Sequence, residues 1–327
     1  VGTVSSITNH DPNRNEIMPL TQNEIRQQIT DKLIAALENN VMPWRRPWSR
    51  SENTGRPANV TSKRPYSGIN PLLLELDSMK KGFHSRWWAT FQQWKELGCC
   101  VMKRPDSVQQ GQWGTAVVLF RPIEKKTIDA KTGDEKDDKF LLMRTFTVFN
   151  ADQVQGAERF QVTEEPCGQR QPDFEPAEEL MRATGADIRH GGDQAFYSVA
   201  GDFIILPNKQ RFVTPGCYYE SAFHELGHWS EPRLDFDRKA NGYAMGELVA
   251  EMTACYLASE LDIPNGESLE NHAAYLKSWL EGMRGDASFI FRASTMAAKT
   301  TDFLLGFVRE SNTEAEGIRE EPVLVAG

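Results

Sequence analysis

The sequence predicts an α+β chain of two domains, and three observations carry that reading. Charge is unevenly placed: residues 1–150 hold 22 Lys+Arg against 16 Asp+Glu, whereas the remainder holds 15 against 30 within a total of −9. Such asymmetry points to a basic module joined to an acidic one. Residues 156–178 are rich in Pro, Gly, Glu and Gln, the composition of a linker. Strand-like runs at 112–122 and 140–149, and again at 188–198 and 201–207, sit among long helical patterns. The divisions that follow are a loose polar segment 1–20, a mixed α+β domain 21–155, the linker 156–178, a second domain 179–308 and an acidic tail 309–327.

Residues 21–40 open on a capping box, Thr21 with Glu24, and place Ile25, Ile29, Leu33, Ile34 and Leu37 at helical spacing. In residues 42–70, Pro, Gly, Asn and Ser exclude long regular structure, and Trp44, Trp48 and Tyr66 alternate with Arg45, Arg46, Arg50, Arg56, Lys63 and Arg64. Loops of aromatic and basic residues suit single-stranded nucleic acid, because bases stack on the rings and cations follow the phosphates. The competing reading has the tryptophans plugging a small core and the arginines solvated.

A helix is expected over 71–79. Residues 84–107 read as a short strand or turn and an amphipathic helix with Phe91, Trp94 and Leu97 on its apolar side. The runs 112–122 and 140–149 read as partner strands, and the charged stretch between them as a mobile excursion. Beyond the linker come a short helix at 176–185, two or three strands joined by Gly-Asp turns, and late helices at 265–283 and 290–308.

Before those late helices lies ESAFHELGHW, residues 220–229, which contains HExxH as His224, Glu225 and His228. On a helix the two histidines stand one turn apart on one face, so both imidazoles reach a single ion while Glu225 flanks it as base. Thr214-Pro215 is a helix start, and Glu231-Pro232 ends the run. A catalytic zinc site needs a third ligand. Glu247 follows nineteen positions after His228, on a second expected helix over 242–261, with Glu251 one turn further on to hold the outer nitrogen of a liganding histidine. Two imidazoles and a carboxylate suit Zn2+, with Mn2+ or another divalent ion fitting the same donors.

Five cysteines, an odd number without CxxC, read as free thiols in a reducing compartment. Residues 1–16 lack a basic segment followed by an apolar one, and no apolar run is long enough to span a membrane. A soluble, cytoplasmic protein with no membrane partner is expected.

Several segments resemble the ArdC antirestriction proteins of conjugative plasmids: PWRRPW, RPYSGIN, WWATFQQW, TFTVFNADQVQG, AFYSVAGDFIILP, FHELGHWSEPRL and YAMGELVAEMTACYL, spread over residues 20–306. The resemblance implies an N-terminal single-stranded-DNA-binding domain and a C-terminal zincin-like metallopeptidase domain. His224 and His228 then match metal-binding histidines, Glu225 the catalytic glutamate and Glu247 the third ligand. Gly246 departs from the family, which usually has a second glutamate there. The family role is to accompany or protect incoming plasmid DNA against host restriction, in the recipient cell. Peptide substrates, a restriction component among them, are implied partners. Two further readings stand beside this one: a DNA-binding antirestriction protein whose metal site is structural or unneeded for protection, and a metallonuclease, disfavoured because such sites prefer carboxylate-rich ligation.

Overall fold

A computed structural model of the chain describes residues 21–45, 51, 53–128, 135–162, 174–263 and 270–315. The segment expected to be loose, residues 1–20, and the last part of the expected tail lie outside them. Helix α1 (Gln22–Glu38) starts at the reciprocal box: the Thr21 hydroxyl accepts from the Glu24 amide at 3.3 Å, and the Glu24 carboxylate accepts from the Thr21 amide at 2.6 Å. Its buried stripe is Leu33, Ile34 and Leu37.

The first half continues through β1 (Ala58–Asn59), α2 (Asn70–Lys81), β2 (Trp87–Thr90), α3 (Phe91–Glu96), β3 (Cys100–Val101), β4 (Thr115–Ile128), β5 (Glu135–Asn150) and β6 (Val154–Gln155). Strands β1, β2, β5 and β4 lie in that order in one sheet, and β3 pairs with β6. Two expectations are corrected here. Phe91 is 55% exposed rather than apolar-facing. Helix α3 is under two turns long, and its capping box at Thr90 and Gln93 gives the buried side to Trp94, whose indole donates to the Phe149 carbonyl at 3.0 Å. The charged stretch expected as a mobile excursion is instead largely strand. Its register sets Glu124 opposite Lys139, Lys125 opposite Asp138 and Lys126 opposite Asp137.

Helix α4 (Glu175–Ala183) opens the second half, followed by β7 (Asp187–His190), β8 (Phe196–Ser198) and β9 (Phe203–Leu206), with β9 in the middle of the sheet and β8 at an edge. Helices α5 (Pro215–Ser230), α6 (Arg238–Asn241), α7 (Tyr243–Glu260), α8 (Glu270–Gly285) and α9 (Phe289–Ala315) complete the order. Helix α9 passes the expected tail boundary at 309, since no Gly or Pro falls between Arg309 and Gly317. Both ends of the segment 156–178, expected to be a linker, carry described structure. Ala157 is buried, the Asn53 side-chain amide donates to the Arg159 and Gln161 carbonyls at 3.2 and 2.9 Å, and α4 already starts at Glu175.

The two domains share a core. Leu33, Leu37, Trp44 and Leu72 from the first half pack in one cluster with Leu248, Met252, Trp279 and Ile290 from the second. At roughly 1.5–3 kcal/mol for each large apolar side chain removed from water, this contact is of interior quality rather than a hinge. Arg56, 2% exposed, reinforces it by bonding Glu260 at 2.8 Å and Asp302 at 2.7 Å, and Arg86 reaches Glu260 at 3.2 Å. No helix among the described residues is long and apolar enough to cross a membrane.

Candidate metal centre

Thr214 caps α5 by accepting from the Cys217 amide, and Pro215 occupies the first turn, where its missing N–H costs nothing. That start, continued to Ser230, sets His224 and His228 on one face with their rings 4.8 Å apart. Helix α7 crosses close by. A Cβ on Gly227 would lie 3.0 Å from the Ala250 Cα, so the absence of a side chain is what lets the two backbones approach.

The crossing delivers Glu247. His224 Nε2 and His228 Nε2 are 3.1 Å apart and lie 3.4 and 3.5 Å from the two Glu247 carboxylate oxygens. In a tetrahedral site with bonds of about 2.0–2.1 Å, neighbouring donor atoms are about 3.3 Å apart. The three donors therefore fit one small divalent ion. They also form one of the two buried or half-buried His/Cys/Asp/Glu clusters among the described residues.

The outer contacts differ between the two histidines. His228 Nδ1 is 2.8 Å from Glu231 Oε1, so Nδ1–H donates outward and the Nε2 lone pair faces the donor set. Arg238 lies between Glu231, at 3.7 Å, and Glu247, which it hydrogen-bonds. In the sequence Glu231 reads only as the end of the helix, although its position three residues after His228 is a usable signal. Glu251 faces His224 Nδ1 at 4.0 Å, longer than a hydrogen bond.

Electrostatics follow from this crowding. Burial opposes a charged Glu247, but both histidines outweigh it and hold the carboxyl well below its usual range. Burial likewise opposes a charged His228, yet Glu231 and Glu247 raise its pKa to about 9. The cluster is built to hold positive charge, and a divalent ion supplies that as well as a proton does. Glu225, 7% exposed, has its pKa raised by burial, against the pull of His224, His228 and the backbone amide of Tyr197 on β8. A cleft of about 650 Å³ opens onto His224 and Glu225, walled by Phe212, Val213, Tyr275 and Trp279. Tyr243 is 59% exposed, with its hydroxyl 3.2 Å from that of Tyr275.

The residues singled out for nucleic acid are scattered. Trp44 is 4% exposed and meets Trp279 edge-on with centroids 5.9 Å apart. It has no free face for a base, which corrects the stacking role expected of it. Arg45 turns inward to Glu220 and Glu251. Arg46, Trp48 and Arg50 lie outside the described residues. Arg64 is exposed, while Tyr66 is half-buried against Leu74 and Trp88, 3.4 Å from the Asn59 amide. A different grouping emerges: the Lys63 ammonium lies 4.4 Å from the Trp87 ring centre and 4.7 Å from that of Phe160, and the Arg159 guanidinium sits 4.6 Å from Phe160. No local pattern in the sequence links these four.

The profile described as the N-terminal domain of anti-restriction factor ArdC matches residues 23–149, and the profile of a zincin-like metallopeptidase matches residues 175–296. The chain is 31% identical over 311 residues to "Uncharacterized protein y4eC" of Sinorhizobium fredii, covering 92% of this chain and 97% of that protein. It is 34% identical over 309 residues to a DNA primase TraC of Escherichia coli, covering 88% of this chain but 28% of that protein. Among solved structures, the metal-free antirestriction ArdC protein of plasmid R388 superposes with a TM-score of 0.69 at 33% identity, over 88% of this chain and 98% of that one. The Mn(II)-bound structure of the R388 protein gives 0.64 at 32% identity, over 87% and 98%.

Proposed function

The chain belongs to the ArdC antirestriction family, and from that premise we propose that it binds single-stranded DNA and carries a zinc- or manganese-dependent peptidase centre that serves protection of incoming plasmid DNA from host restriction. The observation that carries the reading is the meeting of His224, His228 and Glu247 at 3.1, 3.4 and 3.5 Å beside the buried Glu225 carboxyl. When bound, a divalent ion supplies Lewis acidity to the water and to the carbonyl under attack. Glu225 is the residue that would take a proton from the attacking water, a task suited to a carboxylate whose burial has raised its proton affinity. The Tyr197 amide holds the carboxylate in place. The cleft beside it, lined by Phe212, Val213 and Tyr275, receives the chain to be cut.

Single-stranded DNA is assigned to the basic half by its composition and by the Lys63, Trp87, Arg159 and Phe160 grouping, with exposed Arg64 adjoining Lys63. Cations beside half-buried rings offer both phosphate and base contacts.

Elemental analysis should find about one ion per chain, lost on changing both His224 and His228 to Ala. Restriction protection during DNA transfer, measured with wild type and Glu225→Ala side by side, decides the role of the centre. Loss with Glu225→Ala supports the peptidase, and undiminished protection would make the site structural.

A further inference from the structure

We propose that Arg45, delivered by the DNA-binding half, is a positioning residue of the metal centre. The inference rests on the metal reading above. Arg45 bonds Glu220 on α5 and lies 3.7 Å from Glu251 on α7. Glu220 stands one turn before His224, and Glu251 one turn after Glu247. One guanidinium thus ties together the two helices whose crossing brings the ligands to each other.

Glu251 is the link. Its Oε1 faces Arg45 Nε and the Cys255 thiol, both at 3.7 Å, while its Oε2 faces His224 Nδ1 at 4.0 Å. His228 has its own outer carboxylate in Glu231, on its own helix, whereas the carboxylate that faces the outer nitrogen of His224 is Glu251, on the other helix. Donor atoms of Glu220, Glu251 and Cys255 lie within 4.8 Å of one another, and all three residues are buried. Two carboxylates pressed together out of water repel strongly unless a cation joins them. Arg45, with a side chain 13% exposed, is a cation that touches both. Its removal parts the carboxylates and carries Glu251 away from His224, freeing the ring to turn from the donor set.

The direction of the effect separates this role from charge alone. Deleting a positive charge near a cation site, with nothing moved, tightens binding of the ion. Deleting a positioning residue weakens it.

The experiment titrates ion-stripped, full-length protein with Mn2+ by calorimetry, for wild type, Arg45→Met, Arg45→Lys, Glu251→Gln and the Arg45→Met, Glu251→Gln double variant, with thermal melting of each. Arg45→Met and Glu251→Gln are each expected to weaken binding about 10- to 100-fold. The double variant should be no weaker than Glu251→Gln, because Arg45 acts through that carboxylate. Arg45→Lys keeps the charge but not the fork and should fall between wild type and Arg45→Met. If Arg45→Met does not fold, Arg45→Lys carries the comparison. Unchanged or tighter binding by a folded Arg45 variant, or losses that add in the double variant, would overturn the positioning role and leave the metal centre standing. Failure of wild type to bind Mn2+ would overturn both.

Discussion

Gly227→Ala tests whether the close crossing of α5 and α7 sets the metal geometry. The added Cβ would stand 3.0 Å from the Ala250 Cα and 3.2 Å from its Cβ. Carbon atoms prefer about 3.5–4.0 Å, and a backbone atom cannot rotate away, so the helices must part by roughly 0.5–1 Å. Alanine gains about 1 kcal/mol of helix propensity over glycine, while overpacking typically costs about 1–3 kcal/mol. The net loss of stability is therefore small, at most about 2 kcal/mol. The effect on the site is larger, because His224 and His228 ride on one helix and Glu247 on the other, and metal–ligand distances tolerate only about 0.2 Å. Competition against a chromophoric chelator should show affinity lower by at least about tenfold, equivalent to about 1.4 kcal/mol, in a protein that still melts cooperatively. A Gly227→Ala protein that melts higher than wild type and binds the ion as tightly would refute the reasoning.

Other expectations follow from the same contacts. Lys63→Glu with Arg159→Glu should weaken single-stranded DNA binding and flatten its salt dependence by about two counterions while leaving melting unchanged; an unaltered salt slope would move the DNA path elsewhere. Trp44→Ala should cost about 3–5 kcal/mol of stability, since it empties a place in the shared core, and a variant that melts like wild type would return Trp44 to the surface. In ion-free protein the raised His228 pKa, about 9 against an ordinary 6.5, contributes stability that is complete below about pH 6.5 and is lost as pH rises through 9. The lowered Glu247 pKa, held down by His224 and His228, contributes stability present above about pH 4.5 and lost in stronger acid. At 1.36 kcal/mol per unit the His228 shift, from Glu231 and Glu247 together, is worth about 3 kcal/mol, so melts of ion-free protein should fall between pH 7 and 9 and those of His228→Gln should not.

Local rules made much of this molecule legible. The Thr21–Glu24 box, the Thr214-Pro215 start and the HExxH spacing act within one or two turns, and sequence order displays them directly. Glu247 was legible for a similar reason, as a carboxylate on the next long helix. What escaped was decided at long range. A tryptophan beside arginines reads alike whether it meets a base or a core, and Trp44 is buried by Trp279, more than two hundred residues away. Glu231 was hidden behind its proline neighbour, which accounted for the helix end and left the carboxylate with no task. The extension of β4 and β5 into the charged stretch was missed because strand register is set by pairing, which a row of charges in sequence does not display.

The shared core also governs when the chain can fold. Leu33 and Leu37 complete their packing only with Trp279, Met283 and Ile290, which leave the ribosome some 250 residues later. At about 5–20 residues per second, that delay is roughly 10 to 50 s. Throughout it, the apolar stripe of α1 and the ring of Trp44 stand open, able to bind a chaperone or a neighbouring nascent chain. Contacts of such sequence separation also slow folding itself. Nascent chains that stop before α8 are therefore left as sticky fragments, and the yield of active protein depends on finishing synthesis as much as on the stability of the finished fold.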